Sequence, residues 1–298
     1  MRVLLAIDPS TGSQHVVSEA SARPWPTGTT FCVLSVVDVG LWERLPPLIQ
    51  DAKQAAKALV EAATEKLDLP GHDVFSDIQL GYPKKAIPDF AREWKADLVM
   101  VGARGQGTLS RFFLGSVAQA VLRSAPCSVE IVRSALTDSP ASSRAMKILL
   151  ATDGSECSEI AAHSVANRPW PAGSQIKIIS VQELLNLENP SNAFSSSPFY
   201  PKNLLTELLD DARQRAEKAV AQARQAFHST GLRVCNGQNI PVGDARAILL
   251  DEARTGDVDL IVLGSHGRHG FDRMLLGSVS ESVALYANCS VEVIRGQS

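Results

Sequence analysis

The sequence predicts an α/β protein made of two tandem doubly wound, Rossmann-like parallel-sheet domains. Three observations carry this. The chain has 298 residues, about twice the usual domain length. Its second half repeats its first, and short apolar runs alternate with helix-length amphipathic segments along each copy.

The repeat is direct. VLLAIDPS at 3–10 returns as ILLATDGS at 148–155, and Arg23-Pro24-Trp25-Pro26 returns as Arg168-Pro169-Trp170-Pro171, both at an offset of 145 residues. Farther on, ADLVMVGARG at 96–105 returns as VDLIVLGSHG at 258–267, and LGSVAQAVLRSAPCSVEIVR at 114–133 as LGSVSESVALYANCSVEVIR at 276–295, now at an offset of 162. The difference leaves 17 additional residues in the second copy, between Glu183 and about Gly243, and the turn-rich stretch 189–198 is much of that insertion. The polar run Thr137 to Ser143 reads as a linker, so the expected domains are 1–134 and 146–298 with a linker at 135–145.

Within the first copy the apolar runs Val3–Ile7, Phe31–Val37, Val74–Leu80, Leu98–Val101 and Val129–Val132 are expected strands. Continuous runs of this length, separated by helices at Ser13–Ala22, Leu48–Leu67, Lys84–Trp94 and Ser116–Arg123, indicate parallel strands covered on both faces. A sheet wound this way opens its ligand crevice beyond the carboxyl ends of its strands. In the second copy, Leu204–Phe227 carries apolar residues at Leu205, Leu208, Leu209, Ala212, Ala216, Ala219, Val220 and Ala223, a one-faced amphipathic helix that packs on its own sheet.

Composition narrows the partners. A net charge of −3 and a pI near 6.1, with no local cluster of lysine and arginine, argue against nucleic acid. No apolar run reaches the length of a membrane span, and Met1-Arg2 leads straight into the first strand without a signal-peptide pattern, so a cytoplasmic protein is expected. Cys32, Cys127, Cys157, Cys235 and Cys289 are odd in number and widely spaced, which favours reduced, mostly buried thiols over disulfides or zinc.

Candidate functional residues fall at strand carboxyl ends: Asp8 after the first strand, Val36 near the end of the second, and Gly102 after the fourth. Gly102-x2-Gly105 is followed, after nine intervening residues, by Gly115-Ser116 opening a helix, and the second copy repeats this as Gly264-x2-Gly267 and Gly277-Ser278. Glycines permit positive φ and close approach of backbone to an anion, while Ser116 and Ser278 are expected to cap a helix whose exposed N–H groups favour phosphate. For one copy alone, a tight turn with a helix cap accounts for these glycines equally well. Likewise Asp8 and Asp153 fit either ligand contact or an N-cap or turn. Arg104 and Arg268 stand as second-rank candidates for neutralising phosphate. His266 and His269 lack an evident third metal ligand, so no metal site is expected. Trp25 and Trp170 read as hydrophobic plugs.

The pattern Gly-x2-Gly-x9-Gly-Ser, followed by Val117-Ala118-x2-Val121-Leu122-Arg123-x-Ala125-Pro126-Cys127-x-Val129, resembles the signature of the ATP-binding branch of the universal stress protein family. So do the apolar strand ending in Asp8 or Asp153 and the Gly81-x-Pro83 before the third helix; the resemblance spans essentially the whole chain. It implies an adenine nucleotide alpha hydrolase-like fold and ATP, with or without Mg2+, as ligand. By this resemblance Asp8-Pro9 and Asp153-Gly154 would lie near adenine and ribose, and backbone groups of Val36 and Val181 would read the base edge. The glycines Gly102, Gly105, Gly115, Gly264, Gly267 and Gly277, with Ser116 and Ser278, would hold the phosphates, joined by the N–H groups of Val117 and Val279. The chain departs from the family's pattern at Pro9, at Ser35 where a histidine is common, and at Asp244-Ala245 and Asn288 in the second copy.

No nucleophile, base and orienting group can be assembled from motifs. The leading expectation is a nucleotide-binding regulatory module with an unknown protein partner. The alternatives are a slow ATPase or nucleotidyl-transfer enzyme and an interaction protein with vestigial pockets. The family resemblance further implies that the two domains pair through their last strands, Val129–Val132 against Val291–Ile294, about a pseudo-twofold axis. A homodimer of whole chains is left open.

Overall fold

The computed structural model describes residues 1–42, 46–67, 69–105, 114–133, 144–183, 204–235, 240–267 and 276–296. Arg268 and His269, most of the linker and the insertion at 189–198 lie outside the described residues.

The expected strands form. In the first domain β1 (Arg2–Ile7), β2 (Thr30–Asp38), β3 (Asp73–Gly81), β4 (Leu98–Gly102) and β5 (Ser128–Val132) alternate with helices α1 (Thr11–Ala22), α2 (Val39–Trp42), α3 (Pro46–Lys66), α4 (Pro83–Glu93) and α5 (Ser116–Ser124). The second domain has β6 (Lys147–Ala151), β7 (Gln175–Ile179), β8 (Arg233–Val234), β9 (Leu260–Gly264) and β10 (Ser290–Ile294). Its helices are α6 (Glu156–Ala166), α7 (Leu204–Gln225), α8 (Ala245–Thr255) and α9 (Ser278–Tyr286). All ten strands join one sheet in the order β3-β2-β1-β4-β5-β10-β9-β6-β7-β8. Every pairing is parallel except β5 with β10.

The two domains differ where their sequences do. Among the described residues, the nine-residue β3 has only the two-residue β8 as counterpart, supplemented by a bridge between Gln182 and Val242. Asp244 makes good the missing proline at the start of α8, its carboxylate accepting from the backbone N–H of Arg246 at 2.8 Å and Ala247 at 3.3 Å. The amphipathic face predicted for α7 is buried at Ala216, Ala219, Val220 and Ala223.

Because β1 and β4 alternate their buried side chains between two faces, each domain has two core layers. On one face Leu4, Ala6, Val99, Val101, Val129 and Ile131 of the first domain join Leu149, Ile261, Leu263, Val291 and Val293 of the second in one uninterrupted apolar layer. On the opposite face the cores stay separate: Val3, Leu5 and Val33 lie under α1 and α3, and Ile148, Ile176 and Val262 under α6 and α7. What lies between those cores is polar.

At the seam Val291 pairs with Ile131, Glu292 with Glu130 and Val293 with Val129 in antiparallel register. Glu130 and Glu292 are 0% and 1% exposed, so two carboxylates face each other away from water. Each takes a bidentate arginine: Arg23 donates to Glu130 at 2.9 and 2.7 Å, and Arg168 to Glu292 at 2.9 and 2.8 Å. These arginines open the repeated Arg-Pro-Trp-Pro stretches. Burial works against the Arg23 charge, but Glu130 and Glu19 outweigh it and hold its pKa above the ordinary value. Trp25 and Trp170 are more than plugs. Each indole donates to a helix carbonyl, of Ala20 and Val165, at 2.8 Å, and the Arg23 guanidinium carbon lies 5.6 Å from both ring centroids.

On the opposite face the domains exchange helix caps. Arg133 reaches over to donate to the carbonyls of Ala284 at 2.6 Å and Cys289 at 3.3 Å, and Arg295 donates back to the carbonyl of Leu122 at 2.8 Å. The symmetry is broken by Arg123, whose Nε donates to Glu281 at 2.8 Å.

Glu292→Ala leaves the Arg168 guanidinium buried without its carboxylate and is expected to lower the unfolding free energy by about 3–5 kcal/mol in denaturant titrations. The double variant Arg168→Met/Glu292→Leu, which removes both charges, is expected to recover most of that loss.

Candidate functional site

The order of strands creates a switch point in each domain. The chain leaves β1 for β2 on one side and returns to β4 on the other, so the loops after β1 and β4 diverge at the carboxyl edge. Since β5 and β10 run antiparallel, the two clefts open on opposite edges of the shared sheet.

In the first cleft Asp8 follows β1 and is half-buried. Its Oδ1 accepts from the Ser10 N–H at 3.2 Å, the Ser10 hydroxyl and the Ser13 hydroxyl at 2.7 Å, while its own N–H donates to Ser13 Oγ at 2.8 Å. The N-cap of α1 is therefore Ser10, and Asp8 braces the capping turn from outside the helix. The other carboxylate oxygen faces the glycine loop: a Cβ built on Gly105 would lie 2.9 Å from Asp8 Oδ2. Ser10 also donates to the Arg104 carbonyl at 3.3 Å, stitching the loop after β1 to the loop after β4.

The second cleft repeats this with altered parts. Asp153 Oδ1 accepts from the Ser155 N–H at 3.0 Å, Ser155 caps α6, and its hydroxyl donates to the His266 carbonyl at 3.3 Å. A Cβ on Gly267 would lie 2.8 Å from Asp153 Oδ2. Gly154 has φ +76, a turn that Pro9, exposed at the same position of the first copy, cannot adopt. Thr152 and Ser158 hydrogen bond at 3.1 Å, and Ser265 Oγ lies 2.9 Å from His266 Nδ1, so the floor here is more polar than in the first domain.

The structure corrects two expectations about the glycine signature. None of its six glycines is among the described residues with positive φ, so their value lies in the missing side chain. Gly102 and Gly264 let helix and strand touch: a Cβ would come within 2.8 Å of the Gly12 backbone or the Cys157 backbone. Secondly, Gly115 and Gly277, in extended conformation, are the N-caps of α5 and α9, and Ser116 and Ser278 are the first helical residues. Their hydroxyls are one position too late to cap. The Gly115 and Gly277 N–H groups are spent at 2.8 Å on the carbonyls of Ala103 and Ser265. The helix-start N–H groups of Ser116, Val117, Ser278 and Val279 have no partner within the helix by geometry, and an anion at either N-terminus would face them.

Val36 lies in β2 beyond the last β1 pairing, Ile7 with Ser35, and Val181 lies just past β7, so both sit at the carboxyl edge beside their Asp. Arg104 is half-buried: burial and then the Arg104 guanidinium hold the His15 imidazole below its ordinary value, and the same charge adds, against the opposing influence of Cys289, to the burial that lowers Arg133 to about 10. Among the described residues no group of three or more His, Cys, Asp and Glu is placed to hold a metal ion. Ser10 and Ser13 were not singled out from sequence, although Ser155 and Ser158 repeat them at the offset of 145.

Tandem doubly wound domains, each with an acid-braced loop beside a helix start at its switch point, define a class of α/β cleft fold. The model of the universal stress protein family matches residues 1–133 and again 145–295. The chain belongs to the universal stress protein family. A universal stress protein of Mycobacterium tuberculosis is 28% identical over 292 residues, covering 94% of this chain and 85% of the relative. One from Mycolicibacterium smegmatis is 27% identical over 311 residues, covering 98% and 96%. The crystal structure of a universal stress protein from Archaeoglobus fulgidus shares the fold at a TM-score of 0.63 and 20% identity, covering 99% of this chain and 96% of that one.

Two measurements test the local geometry. Gly102→Ala forces a methyl into the Gly12 backbone and is expected to destabilise the protein by about 1–3 kcal/mol in thermal or chemical melts. Gly115→Ala, with φ −62 and its nearest contact at 3.4 Å, should be near neutral. Replacing Arg104 by Gln is expected to raise the His15 pKa toward 6.5, read by NMR titration. Since folding depresses this pKa, stability contributed by neutral His15 is lost as pH falls below 6.5, and the variant should lose less of it.

Proposed function

We propose that the chain binds one adenine nucleotide, ATP, in each cleft, and serves as a nucleotide-dependent regulatory module of stress response in the cytoplasm, acting on a protein partner. The observation that carries this reading is the close approach, in both domains, of the Asp carboxylate to a loop glycine beside a helix start: a Cβ on Gly105 would lie 2.9 Å from Asp8 Oδ2, and one on Gly267 2.8 Å from Asp153 Oδ2. A polyphosphate suits N–H groups at a helix N-terminus, and the carboxylate on the opposite side of the loop suits a sugar hydroxyl.

In this reading Ser116 and Val117, or Ser278 and Val279, hold phosphate oxygens, and Gly105, Gly115, Gly267 and Gly277 keep the approach clear of side chains. Asp8 and Asp153 lie toward the ribose, and Val36 and Val181 toward the base. Mg2+ enters with the triphosphate as its counter-ion. Holding the nucleotide is the central activity, with slow or no hydrolysis. Domain limits of 1–134 and 146–298 fit this division of the two clefts.

Denaturing the purified protein and identifying released nucleotide by chromatography and mass spectrometry is expected to give ATP at about two per chain, set by one helix-start site per domain. Gly115→Ala should weaken binding in its own cleft by about tenfold or more, the loss of roughly one charge-assisted hydrogen bond, while the fold is retained. Absence of bound nucleotide together with no heat of ATP binding would remove this reading and leave the fold.

A further inference from the structure

Each cleft is joined to the seam between the domains by one helix, and the construction occurs twice. Ser10 caps α1 and bonds the glycine loop at the Arg104 carbonyl; at the other end of α1, Arg23 makes the bidentate pair with Glu130. Ser155 caps α6 and bonds the His266 carbonyl; past the other end of α6, Arg168 makes the bidentate pair with Glu292. Glu130 and Glu292 are register partners in β5 and β10. Arg23 also lies 5.6 Å from the ring centroid of Trp170 in the opposite domain, so each side of the cluster touches the other.

We propose that this relay, cleft loop to capped helix to arginine to facing glutamates, couples the two clefts energetically, so that a nucleotide seated in one changes the affinity of the other. The inference rests on the nucleotide reading above. Its physical basis is that both helices are packed along their lengths, by Val16, Val17 and Ala20 in α1 and by Ala161, Ala162 and Val165 in α6. A shift at the cap is therefore carried to the arginine rather than absorbed in between. At the seam there is little tolerance. Two buried carboxylates face each other, and displacing either arginine leaves charge unbalanced beside the second pair. The relay is not symmetric: Arg23 is further held by Glu19 at 2.6 Å, whereas Arg168 Nε donates to the Ser164 carbonyl at 3.1 Å. Linkage nevertheless requires that the effect of the first cleft on the second equal the reverse.

The test is calorimetric titration with ATP of the wild type and of Gly115→Ala and Gly277→Ala, each weakened at one cleft by about tenfold or more so that the other cleft fills first and is read in isolation. The wild-type constants are expected to depart by about fivefold or more from those assembled from the two isolated clefts. Arg168→Lys keeps the charge and loses the bidentate geometry. It should abolish that departure while each isolated cleft keeps its affinity within about twofold, a shift below the usual range of coupling. A wild-type isotherm equal to the sum of the isolated clefts, or coupling that survives in Arg168→Lys, overturns the proposal. Should Arg168→Lys fail to fold, hydrogen exchange decides: filling the first cleft of Gly277→Ala must change protection in 156–166, and no change there overturns it. A wild type that takes up no ATP removes the nucleotide reading and the coupling with it, whereas two independent sites leave that reading and remove only the coupling.

Discussion

Antiparallel pairing of β5 with β10 places Glu130 directly opposite Glu292 at a point where neither reaches water. Like charges in that position are strongly unfavourable unless each is neutralised on the spot, and the ten-stranded sheet exists in this form because two arginines do so. Much else follows from that requirement. The arginines must stand at the ends of α1 and α6 next to the seam, the prolines after them end the helices, and the tryptophans cover the guanidinium groups.

The two faces of the sheet solve the joining of domains differently. One is a single apolar layer that crosses the seam, closed by the exchanged arginine caps of Arg133 and Arg295. The other is interrupted by the charged cluster, which leaves each domain its own core beneath its own pair of helices. Apolar contact supplies most of the attraction and excludes a one-residue slip, which would turn its side chains to the other face, while the paired charges select among the registers that keep that alternation. Arg123 and Glu281 add a contact that two identical domains would not make, which favours joining unlike halves of the chain.

The clefts inherit their geometry from the same helices. Because α1 and α6 begin at the carboxyl edge and end at the seam, their caps are fixed from both directions. The clefts differ in proline or glycine after the Asp, arginine or histidine in the glycine loop, Gly12 or Cys157 against the strand end, and the polar floor that Thr152, Ser158 and Ser265 give the second. In the second domain Gln182 ties the end of β7 to α7 by donating to the Leu209 carbonyl at 2.8 Å, and a Cβ on Gly154 would lie 3.3 Å from Ala219.

The strands, the major helices and the domain repeat were legible in the sequence, since parallel strands buried on both faces are continuous apolar runs and duplication preserves their spacing. The loops carrying Asp8, Gly105 and their counterparts were legible for the same reason, as recurring residues at strand ends. What the glycines do there was not: their φ values and close contacts depend on helix and strand meeting, so the expectation of positive φ and of Ser116 as a cap gave way to close packing and Gly115. Arg23 and Glu130 are 107 residues apart, and nothing in local pattern joins them. The repeated Arg-Pro-Trp-Pro was visible as a motif, but its role as the partner of a buried glutamate pair was decided only when β5 met β10, because the field on a buried charge is set by what folding brings beside it.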